Sequence, residues 1–381
     1  DEVVPEHGRV VILLDEISWL GGYNDDFPGY FKEAWDRKLR KHANLVFVLC
    51  GSVSSWIAEN ILDSTGFVGR MTMDLDVKEL PPCECVKLWG PSASRLSVRE
   101  KIDLLSLTGG VPKYVDEIRP ELTADENIRR LCFVPRGSLF REFDDMFSSV
   151  FGQRVKSRGT VLRQLMSGPK SAAELAEIEG CEASGNHTKV LRDLQLAGFI
   201  AKEGGLNPRT GKPLREVRYR IKDNYARFYL HYIEPRKDAI GDGLFEFASL
   251  EQLEGWNVRL GYQFENLVLN HVRDLFPRLG LGNSLVLSAA PYAQNGTKAQ
   301  KGCQIDLLIQ TERTLFVVEI KRQAKIDGSI ISEVEAKLRA FKHDRRMSVR
   351  TALVYDGDLV ASVPASRFFD FLIPAKELFS L

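Results

Sequence analysis

The most constraining feature of this chain is RVVILLDEISWL, residues 9–20, where five aliphatic residues run unbroken into an acidic pair. The run from Val10 to Leu14 has no polar position, which is typical of a strand buried on both faces in a parallel sheet. Asp15 and Glu16 then fall at the carboxyl end of that strand, the edge where open α/β sheets bind ligands. The alternative interpretation is an acidic N-cap for the next helix.

Length and composition are those of a soluble globular protein with two or three domains. The chain has 381 residues, 44% of them hydrophobic and 27% charged. The net charge is zero, so any surface that attracts nucleic acid must be local. The six cysteines are scattered, and their spacing favours a reducing cytoplasmic setting over a zinc site. We find no apolar run of membrane-spanning length and no signal peptide, and therefore expect no membrane partner.

The pattern of apolar segments predicts a multidomain α/β protein with four regions. Residues 1–95 alternate apolar strands with helical patterns, as in a parallel sheet, and RMTMDLDVKEL resembles a further strand. Residues 96–156 are helical. Residues 157–235 contain three short helices and two strands around a basic loop, the pattern of a winged helix. Residues 236–381 form a last α/β unit.

Polar residues that follow the N-terminal strands suggest a nucleotide site. An Asp at the end of such a strand holds Mg²⁺, and an adjacent Glu polarises the water that attacks a γ-phosphate. Ser52 ends the second strand, where a polar side chain senses the γ-phosphate, and Arg70 in GFVGRM suits a finger toward transition-state charge. The ordinary alternatives are a helix cap for Ser52 and a salt bridge for Arg70.

The order of these motifs resembles the AAA+-like prokaryotic ATPases of the archaeal-ATPase group, which are related to STAND ATPases. The motifs are strand-Asp-Glu, strand-Gly-Ser, Gly-Arg and the Gly-Gly-Val-Pro of LTGGVPKYVDEI, followed by the winged helix. The resemblance covers residues 9–235 and implies a partial P-loop NTPase sheet that binds ATP and Mg²⁺ through Asp15, Glu16, Ser52 and Arg70.

The chain departs from that family in one respect. No segment fits the phosphate loop GxxxxGK[ST], which in this family precedes the Asp-Glu strand. The sequence begins DEVVPEHG, without Met and directly before a core strand, so we expect either a fragment or a degenerate relative. In both cases we expect little ATP binding or hydrolysis from these residues alone.

The segment EASGNHTKVLRDLQLAGFI predicts a helix that reads DNA. Its apolar residues should face inward: Val190, Leu191, Leu194 and Leu196. Its polar residues should remain exposed to meet base edges and phosphates: Asn186, His187, Lys189 and Arg192. The basic loop that follows should hold flanking phosphates through Arg209, Lys212 and Arg215. The alternative is a winged helix that contacts a partner protein and relays nucleotide state.

The sharpest local signal is CQIDLLIQTERTLFVVEIKRQ, two apolar strands joined near Glu312-Arg313. If the turn has an even number of residues, Asp306 lies opposite Glu319, with Cβ atoms about 5 Å apart. Lys321 lies two residues later and shares that face. Two carboxylates and a lysine would form a Mg²⁺ site with a cation beside the attacking water. The alternative is a Glu–Lys pair on an exposed sheet.

With the preceding helix GYQFENLVLNHV, this hairpin resembles the PD-(D/E)XK nuclease superfamily over residues 256–360. The resemblance implies Mg²⁺ bound chiefly by Asp306 and Glu319, with Glu265 beside them and Glu319 and Lys321 as catalytic residues. The helix SEVEAKLRAFKHDRRMSVR should have a basic end suited to phosphates, or else a solvated face: Lys342, Arg345, Arg346 and Arg350.

Together these patterns predict an ATP-driven, DNA-associated switch with a nuclease-like C-terminal domain. One alternative is a Mg²⁺-dependent endonuclease that acts on double-stranded DNA and whose access the ATPase gates. The other is a non-catalytic signalling scaffold whose last domain binds a partner protein.

Overall fold

The chain folds as a mixed α/β protein with separate sheets in its N-terminal, middle and C-terminal parts, so the predicted fold class is confirmed at this level. The computed structural model describes residues 7–51, 55–178, 185–296 and 301–380, and only the backbone of Ser55, Gln153 and Asn186. Within those ranges, no helix combines the length and the apolar character that crossing a membrane requires.

The N-terminal part contains a parallel pair of strands, β1 (Val10–Leu14) and β2 (Leu45–Leu49). Phe31 packs against Phe47 of β2, with ring centroids 5.3 Å apart. The helices of this part are α1 (Ile17–Tyr23), α2 (Phe27–Arg37) and α3 (Ser55–Ile57).

The prediction that the first strand is buried on both faces is wrong. The register pairs Val11 with Val46 and Leu13 with Val48, so these four side chains share one face of the sheet. They are exposed, Val11 to 60% and Leu13 to 57%. An unbroken apolar run does not determine how many layers of structure cover a sheet, and here the described residues leave one face of the sheet exposed to solvent.

The predicted strand in RMTMDLDVKEL is also wrong, since residues 71–80 have no regular secondary structure. Met73, Leu75 and Val77 alternate as in a strand, yet all three side chains are exposed. Alternation is sufficient for a strand only when a neighbouring strand satisfies its backbone groups. Within the described residues, no strand pairs with this segment.

A helical region follows, and its start sites are written in the sequence as capping boxes. Ser97 with Glu100 and Thr123 with Glu126 each form reciprocal hydrogen bonds at a helix N-terminus. The helices are α4 (Pro82–Leu88), α5 (Val98–Thr108), α6 (Pro112–Asp116), α7 (Ala124–Cys132) and α8 (Ser138–Phe151).

The middle unit has three helices and an antiparallel sheet of strand order β3-β5-β4. Its elements are α9 (Val155–Leu165), β3 (Lys170–Ser171), α10 (Ala172–Ile178), α11 (Gly185–Leu196), β4 (Ile200–Glu203) and β5 (Arg218–Ile221), and it is followed by α12 (Asn224–Phe228) and α13 (Lys237–Gly241). Residues 204–217 form the loop between β4 and β5. The middle unit shares one hydrophobic core with the helical region, in which Phe147 packs edge-on against Phe199 at 5.0 Å.

The C-terminal unit is built on a five-stranded sheet of order β10-β9-β8-β7-β6. Strands β6, β7 and β8 are antiparallel to one another, whereas β8, β9 and β10 are parallel. Helix α14 packs on one face through Phe264 and Val268, and helix α15 covers the other through Ile330 and Val334. The elements are α14 (Trp256–Asn270), β6 (Val286–Gln294), β7 (Cys303–Thr311), β8 (Thr314–Ile326), α15 (Ser329–Ala340), β9 (Ser348–Leu359), α16 (Ser362–Ala365) and β10 (Phe371–Pro374).

Candidate functional site

The register of the β7–β8 hairpin is the one predicted from an even turn. Two residues, Glu312 and Arg313, connect the strands, and the Thr311 hydroxyl accepts a hydrogen bond from Thr314 N–H at 3.0 Å. The pairs run from Gln310 with Leu315 to Leu307 with Val318, and Asp306 and Glu319 are the next residues of the two strands. The ammonium of Lys337 reaches both carboxylates, so they point to the same side of the hairpin.

The two carboxylates are held in a largely buried position. The side chains of Asp306 and Glu319 are 14% and 4% exposed. The backbone N–H of Ile320 donates to Asp306 Oδ2 at 2.9 Å. Burial, followed by the negative charge of Asp306, raises the pKa of Glu319 to about 7, and burial also raises the pKa of Asp306. Buried acids with strongly perturbed pKa values cluster at functional sites, which makes this pair a candidate.

The cation that the structure places there is Lys337 of α15. Its Nζ lies 2.6 Å from Glu319 Oε2 and 3.7 Å from Asp306 Oδ1. Burial opposes the charged ammonium, but Asp306 and Glu319 raise the pKa of Lys337 nevertheless. Lys321, the predicted lysine, instead lies 3.2 Å from Glu333 Oε2, and Glu333 Oε1 lies 3.8 Å from Lys337 Nζ.

Sequence reasoning missed Lys337 and Glu333. The available signal was their spacing of four residues, which places an acid and a base on the same face of one helix. That signal is weak, because the same spacing is common on solvated helices.

Glu265 belongs to the same electrostatic group, although it comes from α14. Burial, followed by the charge of Asp306, raises the pKa of Glu265 to about 7. Arg227 and Arg220 oppose that rise. The charge of Asp306 thus raises the pKa of both Glu265 and Glu319, and the role of Glu265 as a metal ligand stays a prediction.

The donor chemistry of the hairpin fits Mg²⁺. Carboxylate oxygens are the ligands this ion prefers, and one or two suffice when waters and substrate phosphate complete the coordination. In the described parts of the chain, no group of three or more His, Cys, Asp or Glu side chains is arranged to hold a metal ion. Asp306 and Glu319 are a pair of buried carboxylates with the ammonium of Lys337 beside them, and their role as Mg²⁺ ligands stays a prediction.

In the N-terminal part, the polar ends of β1 and β2 meet at one edge of the sheet. Asp15 and Glu16 are both exposed. Burial, and then a hydrogen bond with Asp15, raises the pKa of Cys50, the residue after β2. Glu16 has a left-handed backbone (φ 47°) and occupies the N-cap position of α1 without a capping hydrogen bond from its side chain. Ser52 lies outside the described residues.

Arg70 is engaged with α2. Its Nε and Nη2 donate to the two carboxylate oxygens of Asp36 at 2.9 and 2.7 Å, so it forms a bidentate ion pair. The salt-bridge alternative describes its present contacts, and the role of a finger stays a prediction.

In α11, the prediction that His187 is exposed is wrong, since this side chain is 5% exposed. His187 lies three, four and seven residues before Val190, Leu191 and Leu194, all buried, and so continues their inward stripe. Lys189 and Arg192 are exposed, and only the backbone of Asn186 is described.

Arg192 makes an ion pair with a residue of the N-terminal part, because its Nη2 lies 2.9 Å from Asp63 Oδ2. In the 204–217 loop, Arg209, Lys212 and Arg215 are exposed as expected.

The predicted basic helix end is wrong, because α15 ends at Ala340. Phe341 leaves the helix to pack against Tyr292 with ring centroids 5.5 Å apart. Lys342, Arg345 and Arg346 consequently lie in the loop before β9. Arg350 lies within β9 and pairs with Asp370 Oδ1 at 2.7 Å.

Comparison with known proteins finds similar proteins in sequence and in structure. No family model matches the chain. An uncharacterized protein of Methanocaldococcus jannaschii, MJECL04, is 23% identical over 316 residues, which cover 82% of this chain and 67% of that protein.

Among solved structures, the chain is similar to the Walker-type ATPase PABY2304 of Pyrococcus abyssi, with a TM-score of 0.41 and 15% identity over 58% of this chain. The match spans 63% of that ATPase, slightly less than two thirds of its length. Protein VC1899 from Vibrio cholerae matches 97% of this chain and 88% of its own, with a TM-score of 0.27 and 12% identity. Because these TM-scores and identities are low, the function has to be argued from the sites themselves.

Proposed function

We propose that this chain is a DNA-associated protein whose C-terminal unit contains a Mg²⁺-dependent nuclease site of the PD-(D/E)XK type. We extend the proposal to a winged helix in the middle unit and a partial AAA+-like nucleotide unit at the N-terminus. The observation that carries it is the hairpin register, which supports two buried carboxylates side by side with an ammonium against both. An exposed Glu–Lys pair, the ordinary alternative, would not bury its acids in this way.

Each residue of the site has a role that follows from its contacts. Asp306 and Glu319 would hold Mg²⁺, which when bound neutralises charge on a scissile phosphate and lowers the pKa of a water. The Ile320 N–H orients Asp306 through Oδ2, and Oδ1 is the oxygen nearer Lys337. Lys337 opposes the rise in the pKa of Glu319 and so favours its ionised form. Lys321, oriented by Glu333, is the cation available beside an attacking water.

The test is cleavage of supercoiled plasmid in Mg²⁺ or Mn²⁺. Asp306→Asn and Glu319→Gln each remove one ligand charge without changing side-chain size and should reduce nicking at least about a hundredfold. Glu335→Gln is the matched control, because Glu335 lies on α15 but pairs with the exposed Arg339. That variant should cut as the unaltered protein does.

A nicking rate that is the same in Asp306→Asn and in the unaltered protein would contradict the proposed nuclease activity. The scaffold alternative would then be favoured, with Lys337, Asp306 and Glu319 acting only as a stabilising ion cluster.

A second candidate function, an ATP-driven switch, is favoured by the position of Asp15 and Glu16. They lie exposed at the carboxyl edge of parallel strands, where nucleotide-binding sheets place such acids. The Arg192–Asp63 ion pair supports a route from that unit to α11. Binding of a fluorescent ATP analogue by the whole gene product should weaken in Asp15→Asn. Equal binding by Asp15→Asn and the unaltered protein would contradict this function.

A further inference from the structure

The 204–217 loop is not a free arm, because it is docked on the C-terminal sheet. Gln310 Nε2 donates to the Leu206 carbonyl at 2.6 Å, and Leu206 N–H donates to Ser288 Oγ at 3.3 Å. Leu214 packs on a cluster that includes Tyr292 and Leu308. The loop therefore has polar and apolar contacts with both β6 and β7.

The docked loop lies on the sheet face that carries the candidate site. Leu214 of the loop and Leu338 of α15 pack against the same cluster, which includes Leu308, Leu315 and Val317. Lys337, the neighbour of Leu338 in α15, contacts Asp306 and Glu319 from that side of the sheet.

The loop before β9 lies against the 204–217 loop. Asp344 N–H donates to the Pro208 carbonyl at 2.9 Å. Burial raises the pKa of Tyr292 and the charge of Arg209 opposes it, which places Arg209 near this aromatic side chain. Tyr292 in turn packs on Phe341, the first residue after α15. Basic residues from two distant parts of the sequence thus lie side by side.

These residues form what we call the basic junction: Arg209, Lys212, Lys342 and Arg345. All four are exposed, and none forms an ion pair within the part of the chain that is described. The acid among them, Asp344, is already paired with Arg346, whose Nη2 lies 2.7 Å from Asp344 Oδ2. A chain of zero net charge thus concentrates uncompensated cations on one surface.

The basic junction adjoins the candidate site. Phe341 N–H donates to the Lys337 carbonyl at 2.8 Å, so Lys342 follows directly on the last turn of α15. Lys342 N–H also donates to Gln294 Oε1 at 3.1 Å, and Gln294 pairs with Cys303 at the start of β7. Four residues separate Lys337 from Lys342, and three of them belong to the last turn of α15.

We infer that the basic junction is one composite surface that binds the phosphate backbone of duplex DNA and directs it toward Asp306 and Glu319. The inference takes its choice of DNA from the proposed function, but it concerns binding and not cleavage. The composite surface depends on the docking of the 204–217 loop, because that docking brings the cations of the two loops next to each other.

The test is fluorescence anisotropy of a short labelled DNA duplex in EDTA, where cleavage plays no part, over a series of KCl concentrations. The plot of log K against log salt has a negative slope, and each lost phosphate contact should reduce its steepness by about 0.9. The paired variants Arg209→Ala/Lys212→Ala and Lys342→Ala/Arg345→Ala should each reduce the steepness by about 1 to 2. The control pair Arg95→Ala/Arg136→Ala removes two exposed arginines from the helical region and should leave it unchanged.

A second arm undocks the loop without altering any charge. Leu214→Ser with Gln310→Ala removes the apolar contact and the hydrogen bond, and the expected result is a fall in affinity of about tenfold, with a shallower salt slope. Gln310→Ala alone is the milder variant if the double variant melts early. Unchanged binding in both would overturn the composite surface, as would unchanged binding in the cation variants.

The outcomes separate this inference from the proposed nuclease. DNA binding that depends on the basic junction, without Mg²⁺-dependent nicking, would contradict the proposed nuclease activity and support the DNA-binding surface. Nicking that is lost in Asp306→Asn but unchanged when the four cations are replaced would contradict the DNA-binding surface and support the nuclease activity. Tighter binding of the matching RNA duplex would overturn the choice of DNA.

Discussion

At the scale of single residues, Lys337 is the side chain that most changes the interpretation of the hairpin. The motif in the sequence contains Lys321, but the ammonium that contacts both carboxylates comes from the following helix. A buried carboxylate pair needs a compensating cation, and here a lysine from the covering helix α15 supplies it.

Lys337→Met should therefore destabilise the protein by about 1 to 3 kcal/mol, because two buried acids lose their partner. Mg²⁺ should restore more stability in this variant than in the unaltered protein, since the ion no longer competes with an ammonium. Urea unfolding with and without Mg²⁺ measures both effects.

Lys321→Met is the matched control, because Lys321 has a single ion-pair partner, Glu333. Equal destabilisation of the two variants, with no difference in the Mg²⁺ response, would contradict the assignment of Lys337 as the balancing charge.

Asp223, the N-cap residue of α12, predicts a pH dependence of stability. Burial, followed by the charge of Glu79, raises its pKa to about 7 from an ordinary value of 3.8. Between these values the folded protein holds a proton that the unfolded chain releases. Stability must then decrease as pH rises from about 4 to 7, by up to about 4 kcal/mol.

Asp223→Asn keeps an N-cap acceptor and removes the titration, so this variant should lose less stability between pH 5 and pH 8. Its unfolding free energy relative to the unaltered protein should therefore be higher at pH 8 than at pH 5. A difference between the two proteins that is constant across this range would show that Asp223 does not titrate there.

At the scale of elements, α5 is attached to the C-terminal sheet through a buried arginine. The Arg322 side chain of β8, 2% exposed, donates to Asp103 of α5, and its Nε lies 3.5 Å from Asp356 Oδ2 of β9. Arg99 lies 3.0 Å from the same oxygen of Asp356. The sheet and the helix thus share an ion cluster that holds them in one relative position.

Arg322→Met should cost about 3 to 5 kcal/mol, because Asp103 and Asp356 would be left buried without their shared partner. Arg37→Met is the comparison: its pair with Glu33 is mostly exposed and should contribute less than about 1 kcal/mol. Thermal and urea unfolding measure both changes, and a loss below 1 kcal/mol in Arg322→Met would refute the role of the cluster.

Among the elements, the sequence predicts the β7–β8 hairpin and α14 well and the N-terminal strands less well. In the hairpin, two residues connect the strands, so a local turn sets the register that brings Asp306 near Glu319. Residues 71–80 have an equally clear alternation but no neighbouring strand. Helix α15 ends just before Phe341, whose ring packs against Tyr292, a residue distant in the sequence.

At the scale of the whole molecule, the chain has one continuous core and one weakly attached part. The largest hydrophobic cluster extends from Cys85 to Leu267 and joins the helical region, the middle unit and α14. Ile102 of α5 packs with Phe264 and the C-terminal sheet, which links that sheet to the same body. Among the described residues, strands β1 and β2 contribute to none of the four hydrophobic clusters, and one face of their sheet is exposed.

Hydrogen exchange should therefore divide the molecule. The amides of β1 should exchange at least about a hundredfold faster than those of β7 and β8, because few buried contacts hold the first sheet closed. Mass spectrometry of peptides covering residues 10–14 and 303–320 tests this. Equal protection of the two sheets would mean that the N-terminal part unfolds together with the rest.

The sequence by itself determined the local features: where capped helices begin, which strands are apolar, and how a two-residue turn brings Asp306 near Glu319. Each of these depends on neighbours within a few residues, and the pattern of side chains records such interactions directly. Only the tertiary structure decided that Lys337 balances the acids, that His187 faces inward, and that the 204–217 loop lies against the C-terminal sheet. Those outcomes depend on which surfaces meet, because burial and charge compensation are set by residues far apart in the chain.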